Sequence, residues 1–254
     1  MSPSLRRRVF LVAAAVAGAL LVWGLSGLPD YGIYRGPYGD VLNAVAVGER
    51  HATNVVAAVT FDYRGVDTMG EEYILFAAVI GVAILLRAQR DEREEAPDED
   101  AADRRAPGTS NAVRVLGLAL LGPVVLFGIY VVAHGHLSPG GGFQGGVVLA
   151  TGALLVYLSG EYVTLRRVRP EALLDLAESS GAAGYVAVGL LGLAAGVTFL
   201  ENVLPLGQAG TLLSSGMIPL INLAVGLEVA AGFVLLLSEF LEQTLVVRRP
   251  GEQT

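Results

Sequence analysis

The chain contains no cysteine. A disulfide, a thiolate metal site, an iron–sulfur cluster and a cysteine nucleophile are therefore all excluded within it. Lysine is missing too: all 17 basic residues are arginine, a bias we attribute to the genome. Charge of either sign is sparse, at 16% of 254 residues against 53% hydrophobic, and the mean hydropathy is +0.58. That balance is too apolar for an ordinary soluble domain, and the apolar residues come in blocks. The net charge of −7 says little about partners, because much of the acid sits in one segment. No nucleic-acid partner, metal or cofactor is expected, and no catalytic residue is assigned.

A bilayer core of roughly 30 Å takes about 20 apolar residues as helix. Val9–Leu28 meets that length behind Arg6, Arg7 and Arg8. Its apolar run is too long for a signal peptide, and no A-x-A cleavage site follows. Val115–Ala133, Phe143–Ser159, Ala182–Leu200 and Met217–Ser238 also qualify. Tyr73–Leu86 is short: either Arg87 snorkels, or Glu71 and Glu72 dip towards the membrane against a partner. Val41–Phe61 carries too many polar residues to span and reads as an interfacial helix, with Tyr31, Tyr34 and Tyr38 at the headgroups. The expectation is an all-α, polytopic membrane protein with six transmembrane helices.

Arginine distribution tests the count independently. It clusters at the N-terminus, after the second span (Arg87, Arg90, Arg93, Arg104, Arg105, Arg114), after the fourth (Arg166, Arg167, Arg169) and in the tail (Arg248, Arg249). The connections 134–142 and 201–216 have none, and only the long first loop mixes the sides, with Arg35, Arg50 and Arg64 among more numerous acids. The positive-inside rule then puts both termini in the cytoplasm. Residues 89–111 are rich in Asp and Glu, with Pro97 and Pro107, and read as a charged cytoplasmic linker. The chain so divides into a two-helix module at 1–88, that linker, a four-helix domain at 112–248 and a tail at 249–254.

The run His134-Gly-His-Leu-Ser-Pro-Gly-Gly-Gly-Phe-Gln-Gly-Gly146 separates the third and fourth spans. Glycine costs about 1 kcal/mol and proline about 3 inside a helix, so this is a specialised turn, built from Ser138, Pro139, Gly140, Gly141, Gly142, Gly145 and Gly146. Ser138 and Pro139 suit the N-cap and first helical position of the fourth span. Gly141/Gly145 and Gly142/Gly146 give overlapping G-x-x-x-G spacings that allow close helix contact; Gly192/Gly196 repeats the spacing in the fifth span.

With its flanks, residues 127–148, this run resembles the signature of the B-type member of the Mrp-type multisubunit Na+/H+ antiporters, the MnhB family. The related member of membrane-bound ion-pumping hydrogenases shares it. Ser215-Gly-Met-Ile-Pro-Leu-Ile-Asn-Leu-Ala-Val-Gly-Leu227 adds to the likeness, which covers about 112–248. Thr53-Asn-Val-Val-Ala-Ala-Val-Thr-Phe-Asp-Tyr-Arg-Gly-Val-Asp-Thr-Met-Gly-Glu71 is similar instead to a motif near the end of the large A-type antiporter polypeptide, equivalent to a small hydrogenase subunit. The resemblance implies a fusion of two neighbouring pieces of one complex. It also implies Na+ and H+ as transported ions, other antiporter subunits and membrane lipid as partners, and a bacterial or archaeal cell membrane as location. Such complexes support pH and salt tolerance.

Glu228 is the sharpest single residue. Ten uncharged residues separate it from Glu239, which places it about 16 Å from the cytoplasmic end of its helix, near the midplane. A carboxyl there costs about 2.5–3.5 kcal/mol on insertion scales and has to face protein or water. Two readings stand: a proton or sodium site, or a neutral acid hydrogen-bonded to a neighbouring helix. Asn222 either shares that path or makes a packing hydrogen bond. His134 and His136 either relay protons or shape the turn. Glu161, Asp62, Asp67 and Glu71 complete the ion-path candidates, each with a plainer interfacial or docking reading. A serine hydrolase of Ser138 and a histidine is excluded, since all would sit in one turn without an orienting acid.

Overall fold

The computed structural model describes residues 3–28, 36–86, 110–160, 165 and 170–246. Among them there is no strand, and six helices are long and apolar enough to cross a membrane. The protein is all-α and polytopic, as its hydropathy requires. The linker, apart from its last two residues, Glu161, Tyr31, Tyr34 and the final eight residues lie outside the described set.

Two compact units are distinguished, residues 1–40 and 41–254. The first carries α1 (Pro3–Ser26), whose apolar window Arg7–Ser26 matches the expected first span. The remaining helices are α2 (Pro37–Arg50), α3 (Val55–Ala58), which runs into a π-helical turn at Val59–Tyr63, and α4 (Gly65–Leu86). They continue with α5 (Asn111–Ala133), α6 (Gly142–Ser159), α7 (Glu171–Ala194) and α8 (Ile218–Val246).

Helix α8 is the hub of the second unit. It packs on α4, α6 and α7, and more lightly on α5. Half of its spanning window is buried, against 11% for α4 and 22% for α5. A helix apolar all round can be central because every face finds an apolar neighbour. The core joins Phe61, Tyr185, Leu200, Ile218, Ile221, Val225 and Val229. Helices α6 and α8 approach where glycine removes the side chain: a Cβ on Gly146 would lie 2.8 Å from that of Val229.

Several expectations are corrected. The second span is not short, because α4 begins at Gly65 and takes Glu71 and Glu72 into its second turn. Burial of Glu72 among helices of this same chain offsets what a hydropathy window counts against it. The fifth span lies earlier than Ala182–Leu200: α7 starts at Glu171 and ends at Ala194, so Asp175 and Glu178 belong to it. The apolar stretch after Ala194 is a loop turned by Gly196 at φ 82°, which makes Gly196 a helix stop and not a packing position. Residues 41–61 are not one interfacial helix, since 51–54 break it between α2 and α3.

The glycine run is also divided differently. Helix α6 starts at Gly142 behind Gly141, with no side-chain cap, so Ser138 and Pro139 do not begin it. Gly142, Gly145 and Gly146 are buried residues of α6 itself, so they are not part of the turn, which ends at Gly141. Their poor helix propensity is outweighed by the close packing that a bare Cα permits. Gly145 serves the α5 side, where an added Cβ would strike the Val132 side chain and lie 2.8 Å from Gly128 O. Gly142 and Gly146 serve the α8 side. The G-x-x-x-G pairing of Gly142 with Gly146 therefore holds as one contact face, whereas Gly141 and Gly145 do not share one.

Candidate functional site

At one end of the second unit the glycine turn is locked by contacts from distant segments. Gly140 and Gly141 have φ of 140° and 150°, backbone that side-chain-bearing residues rarely adopt. The freed amide of Gly142 at the start of α6 donates to Asn222 Oδ1 on α8 at 2.7 Å. Asn222 Nδ2 donates to Ile218 O, so both ends of this buried amide are used. From before α3, Asn54 Nδ2 donates to Gly135 O at 2.7 Å and to Ser138 O at 3.0 Å, and the Asn54 N–H donates to His136 O. Thr53 Oγ1 donates to Leu137 O. Residues 53–54 and the glycine turn thus meet in one hydrogen-bonded joint, and Asn54 is its pivot.

The two histidines separate in role. His134 stacks on Tyr130, ring centroids 4.1 Å apart, with Nδ1 3.1 Å from the Tyr130 carbonyl. His136 is fully buried, with Nε2 3.3 Å from Thr211 O and Nδ1 without a partner among the described residues. Burial holds its pKa below the ordinary histidine value, with the carbonyls of Thr211 and Leu212 opposing. Ser138 Oγ turns back to His134 O. Both histidines and Ser138 are thereby accounted for as parts of the turn.

Asp62 lies beside this joint. It pairs with Arg50 Nε at 2.9 Å and accepts from Asn202 Nδ2 at 2.9 Å. Burial pushes its carboxyl above the usual range, against the pull of Asn202 and Arg50. Arg50 also stands over the Tyr63 ring, whose hydroxyl donates to Glu49 at 2.6 Å. Burial, with Glu49 beside it, pushes that phenol up to about 12. Asp67 is exposed and pairs with Arg64, and Glu71 is exposed on α4. These acids do not converge on one point: among the described residues, no group of three acidic or histidine side chains could hold a metal ion.

Deeper in the bundle the pattern differs. Glu228 on α8 is 1% exposed, and neither carboxylate oxygen has a hydrogen-bond partner among the described residues. The alternative of an acid bonded to a neighbouring helix therefore finds no bond. Glu72 on α4 and Glu178 on α7, each 4% exposed, act electrostatically on Glu228, and each leaves one carboxylate oxygen unpartnered. Contact is close because Gly181 lets α7 lie on α8: a Cβ there would meet the Glu228 amide nitrogen at 2.6 Å. No arginine, lysine or histidine occurs in α4, α7 or α8. Buried carboxylates without a counter-charge cannot all stay ionised, so charge balance demands a proton or a cation among them. Glu178 escaped the sequence reading because the fifth span was placed too late. A register beginning at Glu171 would have found it.

Six helices apolar enough to cross a membrane, with buried, uncompensated acids in the second unit, define a multi-pass membrane protein. Residues 112–235 match the family described as a domain related to the MnhB subunit of Na+/H+ antiporter. The chain is 30% identical over 233 residues to the uncharacterized protein MJ1307 of Methanocaldococcus jannaschii, spanning 86% of this chain and 87% of that one. It is 34% identical over 175 residues to a probable K(+)/H(+) antiporter polypeptide of the combined A/B type from Rhizobium meliloti, covering 61% of this chain but only 17% of that protein. Among solved structures, a chain of the membrane-bound sulfane sulfur reductase, an archaeal respiratory membrane complex, superposes with TM-score 0.69 at 33% identity. That match covers 93% of this chain and 98% of the other. A chain of the Mrp complex from Dietzia sp. matches with TM-score 0.65 at 23% identity, over 100% of this chain and 27% of that one, a likeness of fold alone. The chain belongs to the MnhB-related family of antiporter subunits.

Proposed function

We propose that the protein is a multi-pass subunit of a multisubunit cation/H+ antiporter-like complex in a bacterial or archaeal cell membrane, with both ends in the cytoplasm. Residues 1–88 correspond to the end of the A-type polypeptide and 112–248 to the B-type one, joined by the linker. Its partners are the other membrane subunits and lipid, and the ions served are Na+ or another alkali cation and H+. No catalytic residue or cofactor is assigned. Glu228 carries the ion-handling reading: a buried carboxyl with both oxygens unpartnered is an arrangement a scaffold has no need to keep. Glu228→Gln preserves size and removes titration. Transport in membrane vesicles is expected to fall sharply while the complex still assembles. Near-normal cation-dependent proton movement with this variant would reduce the protein to a scaffold.

A second reading is supported by the respiratory complex, whose chain is covered over 98% of its length. The same fold would then serve ion movement driven by a redox partner. Neighbouring reading frames that encode nickel-site or iron–sulfur subunits would favour it, and their absence the antiporter.

A further inference from the structure

Opposite the glycine turn, where α4 and α8 finish and α7 begins, an open cleft of about 300 Å³ enters between these helices. One wall is apolar and includes Val79 and Ala83 of α4; the other carries Asp175, Glu178 and Glu239. Asp175 lies one turn before Glu178 on α7, nearer the helix start. Glu178 is the inner end of the acidic wall: it is 4% exposed, and its Oε1 has no partner among the described residues. A Cβ on Gly232 would lie 3.2 Å from that same Oε1 and 3.2 Å from Val79, so glycine leaves the room in which the carboxyl sits. Gly232 is one helical turn from Glu228, about 6 Å along α8. The acids are therefore staged from a water-open mouth to a buried end.

We propose that this cleft is the entry by which protons reach Glu228, with Glu178 as the intermediate carrier. A hydronium ion in the cleft gives its proton to the Glu178 carboxylate. The resulting acid passes a proton to the Glu228 carboxylate through a water and returns to the ionised form. A proton fits better than a dehydrated alkali cation, because among the described residues no three acidic or histidine side chains converge on one point. The groups acting on Glu228 are Glu178 from α7 and Glu72 from α4; Asp175 and Glu239 flank Glu178. With Arg114 in the first turn of α5, at the end of that helix away from the glycine turn, the entry is cytoplasmic under the topology proposed above.

This inference rests on the ion-handling reading of Glu228, and its test is separate from transport. The natural lack of cysteine makes Ala83→Cys the only thiol in the chain. In the assembled complex, with any cysteines of the other subunits replaced, a membrane-impermeant thiol reagent should modify it about tenfold faster than Leu120→Cys on the apolar face of α5. Dicyclohexylcarbodiimide, which modifies protonated carboxyls in apolar surroundings, should label Glu178 and Glu228 as read by mass spectrometry. Labelling should slow as pH rises and not respond to NaCl or KCl at constant ionic strength, and Glu178→Gln should retain labelling of Glu228. An unreactive Ala83→Cys, or no label on Glu178, overturns the entry even if Glu228→Gln abolishes transport. Protection of Glu178 by Na+ or K+ overturns the choice of proton over cation.

Discussion

Asn222 Oδ1 accepts the Gly142 amide at 2.7 Å, joining the first residue of α6 to the first turns of α8. The bond answers a need of the helix start. A helix start leaves amides without intrahelical acceptors, and no side chain caps α6 locally. Asn222 supplies the missing acceptor from 80 residues away.

Asn222→Ala should therefore destabilise the complex by about 1–3 kcal/mol, the cost of leaving a buried donor unmet. The thermal midpoint of the purified complex should drop, whereas Thr151→Ala, on the exposed face of α6, should leave it unchanged. Equal midpoints for the two variants would count against the clamp.

Gly146→Val should block the α6–α8 contact, because a Cβ at Gly146 would already meet Val229 at 2.8 Å and Gly226 O at 3.0 Å. Gly122→Val is the control: a Cβ there meets nothing within 4 Å. Co-purification with tagged partner subunits should be lost for the first and kept for the second.

His136 gives the turn an acid limit. Burial lowers its folded-state pKa, so protonation favours the unfolded chain. The associated stability is present above the unfolded value of about 6.5 and is lost as pH falls below it towards the folded pKa. Melting followed between mildly alkaline and acidic buffer should show that loss. His136→Gln, which can still donate to Thr211 O, should flatten the part of the profile due to this residue.

Asp62 runs the other way. Burial outweighs Arg50 and Asn202 in setting its pKa, so its ionisation weakens the fold as pH rises from the unfolded carboxylate range through the folded pKa. Asp62→Asn keeps an acceptor for Asn202 and should change stability by no more than about 1 kcal/mol at neutral pH, as expected for a partly exposed pair. Asp62→Ala, which also leaves the Asn202 amide without that acceptor, should cost more in the same denaturation assay.

Hydropathy and arginine placement made the six spans legible, and the small-residue spacing of Gly142 and Gly146 foretold a close helix contact. That Gly145 faces α5, and shares no face with Gly141, was hidden because small-residue spacing does not say which neighbouring helix a glycine meets. The acids resisted as well. Glu72 and Glu178 count against a span in a sliding window, yet each is inside a helix because neighbouring helices cover it. Only Glu228, surrounded by apolar residues on its own helix, was visible from local sequence. The joint at the glycine turn was invisible for a different reason. His51 and Ser215, both at positive φ, meet through Ser215 Oγ donating to His51 O at 2.9 Å, and no local pattern relates residues 164 apart.

The Asn54 joint has a kinetic side. Were the two halves of this chain separate molecules, making that contact would be a bimolecular event set by their abundance in the bilayer. Here the tether turns it into an intramolecular closure, with an effective concentration of order millimolar for short linkers. Equal supply of the two halves is then guaranteed by translation itself. The packing of Phe61 against Tyr185 and of α4 against α8 adds to the hydrogen bonds of that joint, and cutting the chain within 89–109 should show whether the two halves still purify together.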